Sequence, residues 1–131
     1  MAIILDGKML RDKIFESLKA KLDKMQQKPT LAVILVGENP ASQIYVRNKK
    51  KTAEKLGINS LSIEYPSDIS EKELLNKIKE LNSDEKVTAI LVQLPLPAHI
   101  NKNRIIDAIL PQKDVDGLTP YNLGKLFSGE E

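Results

Sequence analysis

The sequence predicts an α/β fold, in which residues 1–131 form a single three-layer α/β/α domain around a short, mostly parallel sheet. Three β-prone segments alternate with amphipathic segments along the chain. Strands that alternate with helices are joined by crossover connections, and these produce a parallel sheet with helices on its faces. Of the 131 residues, 41% are hydrophobic and 29% are charged, which is the composition of one globular domain with its own core.

The first half of the chain predicts two helices and the strand between them. Residues 6–27 carry apolar side chains at steps of three to five residues, which indicates an amphipathic helix that Pro29 ends. Residues 31–36 are almost entirely apolar, as in a strand that is covered on both faces. The next helix begins at residue 40 or 41 and runs to about residue 56, where Gly57 can adopt the left-handed cap.

The alternation continues through the second half. Residues 59–65 alternate apolar with polar side chains, which predicts a strand. Ser70 and Glu73 have the spacing of a capping box, so a helix begins there and carries apolar residues to about position 81. Residues 87–93 predict a third, buried strand.

Two short helices are predicted after the third strand. Asn101 is a suitable N-cap for the first of them, which Pro111 ends. Residues 113–117 have the composition of a turn, and the last helix spans about residues 120–126.

The composition excludes several kinds of site and partner. Without cysteine the chain has no disulfide, no cysteine-ligated zinc and no thiol nucleophile. His99 is the only histidine and is predicted to be a surface loop residue rather than part of a triad or a multi-histidine metal site. The net charge of +2 argues against a polyanionic partner such as nucleic acid.

No targeting or membrane segment is predicted. The longest apolar runs are far too short to span a bilayer. Residues 1–5 are followed at once by Asp6, with no basic region before them and no cleavage site after them. We therefore expect no signal peptide and a cytoplasmic location.

Ligands of open parallel sheets bind beyond the carboxyl ends of the strands. In this sequence those ends are followed by residues 37–40, 65–68 and 93–97. The helix that begins at residue 40 or 41 therefore places its first turns beside the predicted ligand site.

Ser42, Tyr45 and Lys49 are three and four residues apart, so they are neighbours along one face of that helix. A phenol beside an amine is either a packing pair or a proton-transfer pair. Lys49 also belongs to a run of three lysines, and such a run is usually a solvated helix face. Successive helical residues point about 100° apart, however, so the three lysines cannot share one direction. The residues themselves leave both interpretations open.

Polar residues at the other strand ends could complete such a site. Gln93 is either an ordinary polar residue at a strand end or an amide that accepts a hydrogen bond from the ammonium of Lys49. Asp114 and Asp116 precede Gly117, but the rest of a calcium loop is absent, so a metal site is not expected. The two aspartates can point opposite ways, and a carboxylate binds a ring with paired N–H donors well.

No Gly-x-Gly-x-x-Gly turn follows any predicted strand, so the sequence predicts no dinucleotide site within residues 1–131. Short-chain dehydrogenases share the Tyr-x-x-x-Lys spacing of Tyr45 and Lys49. They would need a glycine-rich turn well before the tyrosine, and the preceding residues contain none. That alternative is rejected.

Residues 36–50, 93–97 and 113–117, together with the opening segment 4–8, closely resemble one family in the same order. It is the family of bifunctional methylenetetrahydrofolate dehydrogenases/methenyltetrahydrofolate cyclohydrolases. The resemblance covers essentially the whole chain. It implies an enzyme of one-carbon metabolism, which serves purine biosynthesis and interconverts 5,10-methylene-, 5,10-methenyl- and 10-formyl-tetrahydrofolate by NADP-dependent dehydrogenation and by hydrolysis.

The resemblance also implies roles for the residues noted above. Lys49 matches the lysine that assists water addition, or proton movement, at the methenyl bridge. Tyr45 matches the tyrosine that packs on the folate, and Gln93 the glutamine that hydrogen-bonds the lysine. Asp116 matches the aspartate that holds the pterin, and Ser42 a serine of lesser importance near this cluster.

Further expectations follow from the same resemblance. Leu94 and Pro95 are expected to contact the substrate. Family members are about twice as long, form homodimers, and bind NADP or NAD in a second, Rossmann-type half, and a returning C-terminal helix completes their first domain. Residues 1–131 are therefore expected to bind folate but no nicotinamide cofactor and no metal. The alternative is a folate-binding module without turnover.

Overall fold

The computed structural model describes residues 4–130, which form five helices and three strands in the predicted order. Residues 1–3, on which the expectation of no signal peptide partly rests, lie outside the described range. The elements are α1 (Gly7–Asp23), β1 (Thr30–Val36), α2 (Pro40–Leu56), β2 (Asn59–Tyr65), α3 (Glu71–Ser83), β3 (Ala89–Val92), α4 (Lys102–Asp107) and α5 (Pro120–Ser128).

The three strands form one parallel sheet in the order β2-β1-β3. At its centre, Ile34 of β1 pairs with Ile63 of β2 and with Val92 of β3. An isolated parallel bridge between Ile90 and Asp114 continues the sheet beyond β3. Successive strands are joined by helices, which is the connection that a parallel arrangement requires. The predicted α/β class with a parallel sheet is confirmed.

The larger core lies between the sheet and helices α3 and α4. Ile34 of the central strand β1 and Ile90 of β3 face this side. Leu74 and Ile78 of α3 and Ile105 of α4 pack against them, and none of these five side chains is more than 1% exposed. Close packing of branched side chains on this face fixes the sheet that carries the site.

A smaller cluster covers the opposite face, where α2 packs on the sheet. It consists of Val33 and Leu35 of β1, Leu91 of β3 and Val46 of α2. Successive side chains of a strand point to opposite faces, so these two β1 residues meet α2 while Ile34 between them meets the larger core. Helix α1 contacts the outer side of α2. The position of α2 on the sheet is therefore set by its buried side chains, Val46 among them, and not by its exposed lysines.

The local signals at helix ends are confirmed. Ser70 and Glu73 form the capping box of α3, with the Glu73 amide donating to Ser70 Oγ at 3.2 Å. Asn101 caps α4 through its side-chain oxygen. Gly57 adopts the left-handed conformation at the end of α2, with φ of 82°.

Helix α4 ends at Asp107, with Ala108 as its C-cap, rather than just before Pro111. Two further elements are also shorter than predicted. Helix α1 ends at Asp23 rather than at residue 27, and the Lys28 ammonium donates to the carbonyl of Leu22 at that end. Strand β3 begins at Ala89 rather than at residue 87, because the Val87 amide closes a turn onto Asp84. In both cases the element is shorter than the apolar pattern of the sequence predicts, and a side-chain or turn hydrogen bond lies at its end.

Candidate functional site

Helix α2 carries the first group of predicted site residues and begins just beyond the carboxyl end of β1. Asn39 caps it by accepting a hydrogen bond from the Ser42 amide at 3.1 Å, and Pro40 occupies its first turn. Proline suits this position because the first amides of a helix have no intrahelical partner. The cap and the cluster around Val46 together fix the direction of the helix over the sheet.

A groove of about 400 Å³ runs along the side of α2 that faces β3 and the loop after α4. It brings together three predicted residues from distant parts of the sequence: Tyr45, Lys49 and Asp116. Apolar side chains such as Leu56 and Leu91 form much of its surface. An apolar groove with a few convergent polar groups is the usual form of a small-molecule site.

Lys49 is held by a specific contact at the end of the sheet. Its ammonium donates to Gln93 Oε1 at 3.2 Å, and the lysine side chain is half-buried. The side-chain amide of Gln93 in turn donates to the carbonyl of Leu94 at 3.0 Å. That second bond uses the NH₂ group, so it turns the amide oxygen towards the lysine. The hydrogen bond between Lys49 and Gln93 that the sequence left open is present.

The two other polar groups of the groove are accessible. The Tyr45 side chain lies one helical turn before Lys49 and is 60% exposed, so its ring has a free face. Asp116 is also exposed and lies across the groove from the helix. The Tyr45 ring, the Lys49 ammonium and the Asp116 carboxylate therefore line the same groove, where a planar heterocycle could contact all three.

Asp114 and Asp116 have different surroundings, as the alternation suggested. Asp114 accepts hydrogen bonds from the amides of Thr119 and Leu118, at 2.8 and 3.2 Å, and from the Asn122 side chain at 3.0 Å. Partial burial alone would raise the pKa of the Asp114 carboxyl, but these hydrogen bonds outweigh it and hold the pKa below its ordinary value. Asp114 thus fixes the loop that carries Asp116.

Replacing Asp114 by Ala is expected to lower the free energy of unfolding by about 2 kcal/mol at pH 7, since the partly buried Thr119 amide, the Leu118 amide and the Asn122 side chain lose their charged acceptor. Urea denaturation followed by circular dichroism measures the change. Asp116→Ala is the matched control, because the exposed carboxylate two residues later should alter stability by no more than about 0.5 kcal/mol. Equal losses in the two variants would contradict the structural role of Asp114.

The pH dependence of the unfolding free energy is a second test of the structural role of Asp114. A folded-state pKa below the unfolded value means that Asp114 stabilises the fold above its unfolded pKa and loses this contribution as the pH falls through the folded pKa. The stability difference between the natural chain and Asp114→Ala should therefore shrink towards low pH. A difference that stays constant from neutral to acid pH would exclude the charge as its cause.

Gln93 does not line the groove itself and acts on it through its hydrogen bond with Lys49. Three further predicted residues also lie outside the lining of the groove. Ser42 is only 3% exposed and is buried in the first turn of α2. Leu94 is half-buried and Pro95 exposed, and the peptide bond between them is cis. Leu94 nevertheless acts on the site, because its carbonyl orients Gln93. Contacts of these three residues with a substrate stay predictions.

Two further polar residues of the groove, Asn48 and Thr52, were not predicted from the sequence. Each is three residues from a predicted site residue on α2, Asn48 after Tyr45 and Thr52 after Lys49. Helical spacing was therefore a signal that could have found them. Val115, between the two aspartates, also lines the groove.

The remaining predictions concern His99, a metal site and a membrane-spanning segment. His99 lies exposed in a loop, with Nε2 2.8 Å from the carbonyl oxygen of Ile69. Within residues 4–130, no group of three or more His, Asp or Glu side chains is close enough to hold a metal ion. No helix in the same range is long and apolar enough to cross a membrane.

Known proteins resemble this chain along its whole length. The family model "Tetrahydrofolate dehydrogenase/cyclohydrolase, catalytic domain" matches residues 5–116. The bifunctional protein FolD of Ligilactobacillus salivarius is 55% identical over 130 residues, which are 97% of this chain and 46% of the relative.

Solved structures agree with the sequence comparison. The bifunctional FolD of Campylobacter jejuni superposes with a TM-score of 0.94 at 50% identity, over 98% of this chain and 47% of that one. The FolD of Trypanosoma brucei, solved with an NADP cofactor and an inhibitor, gives a TM-score of 0.89 at 35% identity, over 95% of this chain and 44% of that one. The chain thus spans about half the length of the relatives that it matches.

Proposed function

The chain belongs to the tetrahydrofolate dehydrogenase/cyclohydrolase family, and from this we propose that it is the folate-binding catalytic half of a bifunctional one-carbon enzyme. The complete enzyme interconverts 5,10-methylene-, 5,10-methenyl- and 10-formyl-tetrahydrofolate. Its place is cytoplasmic one-carbon metabolism, which supplies purine biosynthesis. The observation that carries the proposal is the hydrogen bond between Lys49 and Gln93 beside the accessible ring of Tyr45 and carboxylate of Asp116.

In the proposed complex, the groove binds the folate and presents its one-carbon bridge to Lys49. The carboxylate of Asp116 accepts paired hydrogen bonds from the amino-pyrimidine edge of the pterin, a geometry that favours charge-assisted bonds. The ring of Tyr45 packs on the face of the folate, where stacked aromatic rings gain free energy beyond the buried area. Both contacts leave the bridge next to the lysine.

The hydrolytic step needs a proton carrier and no cofactor. Water adds to the bridge carbon of the cationic methenyl group and loses one proton, which gives a neutral hydroxyl adduct. The hydroxyl then loses its proton as the formyl C=O forms, the bond from that carbon to N5 breaks and N5 takes up a proton, so that one proton is released overall. Lys49 is positioned to move these protons, and a positioned acid or base contributes about 10²–10⁴-fold to rate. Gln93 holds the amine in place through its carbonyl oxygen. The geometry therefore suits the cyclohydrolase step.

The hydride step is not assigned to these residues. The six glycines stand apart at positions 7, 37, 57, 117, 124 and 129, and none forms the Gly-x-Gly-x-x-Gly turn that binds a dinucleotide pyrophosphate. We place NADP binding in a second half, as the family resemblance implies, together with the homodimer contacts. The exposed apolar side chains of α1, among them Met9 and Ile14, are a suitable surface for the returning helix of that half.

A folate-binding module without turnover is the second candidate. Most of Tyr45 and the carboxylate of Asp116 are open to solvent, so nothing among residues 4–130 covers the groove. Catalytic electrostatics are strongest where water is excluded. An open groove could therefore bind the substrate and still hydrolyse it slowly.

Titration of the 131-residue chain with 5,10-methenyltetrahydrofolate tests the proposal. Binding is followed by quenching of tyrosine fluorescence, and hydrolysis by loss of the methenyl absorbance over the buffer-catalysed rate. We expect saturable binding, with turnover identifying a competent hydrolase and its absence a binding module. The Leu56→Asp variant, which places a charge in the groove, should abolish the signal, and a circular dichroism spectrum checks its fold. No saturable binding by the natural chain would overturn the proposal.

A further inference from the structure

A second cavity lies on the other side of α2, between this helix and the edge strand β2. Its volume is about 330 Å³, and it is lined by Gln43, Arg47 and Lys50 from α2, by Ser62 and Glu64 from β2, and by the apolar residues Leu35 and Val46. None of these residues lines the groove that holds Lys49. The helix separates the two volumes, so this cavity is not a part of the proposed folate site.

Two cations and one acid line this cavity, and the cations have no ion-pair partner among the described residues. Within residues 4–130, neither Arg47 nor Lys50 forms an ion pair or a side-chain hydrogen bond. They are three residues apart on α2, and Gln43 lies one turn before Arg47, so their donors follow one stripe of the helix. A planar guanidinium and an ammonium at this spacing match a carboxylate or a phosphate group.

Strand β2 is polar on the face that it turns towards α2. The face of a strand that packs against a helix is usually apolar. Ser60, Ser62 and Glu64 point towards α2, whereas Ile63 and Tyr65 between and beyond them pack on the larger core. Ser60 Oγ is buried and has no hydrogen-bond partner among the described residues. A strand that only supported the helix would carry apolar residues here. Ser60 lies outside the cavity, and Ser62 is the serine whose hydroxyl is available to a polar occupant there.

We infer that this cavity is a second binding site, for a small organic anion whose carboxylate or phosphate group meets Arg47 and Lys50. The Gln43 amide and the Ser62 hydroxyl donate further hydrogen bonds to the anion. Leu35 and Val46 form the floor and accept its apolar part. Glu64 lies at the same cavity and opposes a ligand of high negative charge, so its removal strengthens anion binding.

The inference is tested with phenyl phosphate, benzoate and inorganic phosphate as probes, in titrations of the isotopically labelled 131-residue chain followed by NMR. We expect the backbone amides of Gln43, Arg47 and Ser62 to shift together with one dissociation constant. Phenyl phosphate should bind more tightly than inorganic phosphate because its ring covers Leu35 and Val46. Shifts confined to other parts of the chain would overturn the assignment.

Charge variants separate this site from a general attraction to a basic helix. The double variant Arg47→Gln/Lys50→Gln should weaken phenyl phosphate binding about tenfold or more. Glu64→Gln should tighten it several-fold. The matched control Lys51→Gln/Lys55→Gln removes the same charge from exposed positions of the same helix outside the cavity and should change affinity by less than about twofold. An equal loss in the control, or weaker binding by Glu64→Gln, would contradict the proposed site.

Discussion

Replacement of Lys49 by Met in a full-length enzyme that contains this domain is expected to lower the cyclohydrolase rate about a thousandfold, the scale of a lost acid or base. The methionine keeps the length of the side chain and removes the amine that hydrogen-bonds Gln93. Folate affinity should change much less, because the pterin and ring contacts of Asp116 and Tyr45 are retained. The loss of methenyl absorbance under saturating substrate measures the rate.

The control for this variant lies two residues away on the same helix. Lys51→Met removes the same charge at an exposed position that does not line the groove, and the cyclohydrolase rate should stay within about twofold of the natural enzyme. Gln93→Leu should be slower by about tenfold alone and add almost nothing to Lys49→Met, because both residues act through one contact. Undiminished hydrolysis by Lys49→Met would exclude Lys49 as the proton carrier. If the rate losses of Lys49→Met and Gln93→Leu were fully additive in free energy, Gln93 would not act through Lys49.

Replacement of Asp116 by Ala is expected to weaken the binding of a reduced folate about a hundredfold, since a paired, charge-assisted contact is worth about 3 kcal/mol. The fold should be unaffected, because the exposed Asp116 carboxylate supports no backbone amide of the loop, unlike that of Asp114. Asp116→Asn retains one acceptor and should be intermediate. Equilibrium titration with tetrahydrofolate measures the affinity.

Asp107→Ala is the matched control for this effect. Asp107 is an exposed residue of α4 outside the groove, and its removal makes the same change in net charge. Its folate affinity should stay within about twofold of the natural chain. If Asp107→Ala and Asp116→Ala weaken binding equally, the effect is one of net charge and Asp116 does not contact the pterin.

The elements of the fold were predictable where short-range rules act alone. The limits of β2 and α2 follow from alternation, from a proline at the helix start and from Gly57 at its end, and all of these depend on neighbours within a few residues. The end of α1 was wrong by four residues, because Lys28 reaches back to the carbonyl of Leu22. The start of β3 moved for a similar reason, since a turn at Asp84 closes before the strand.

The site was predictable only in part. Tyr45 and Lys49 were placed on one helix face by spacing, but spacing could not decide between a solvated lysine and one held by a partner. The contact with Gln93 spans 44 positions in the sequence, and its orientation depends on a further bond to the Leu94 carbonyl. Likewise, the sequence could not show that Asp114 accepts hydrogen bonds from the backbone amides of Leu118 and Thr119 while Asp116 stays exposed.

The sequence by itself determined the α/β class, the order of the elements, the family resemblance and the residues able to carry the chemistry, because periodicity, caps and residue types are local properties. Only the tertiary structure decided that Lys49 meets Gln93, that Asp116 faces the same groove, and that Arg47 and Lys50 face a different one. Residues of one helix are divided between two cavities by the side of α2 on which each lies, towards β2 or towards β3. That division follows from the packing of α2 on the sheet through buried side chains such as Val46, which no short-range pattern specifies.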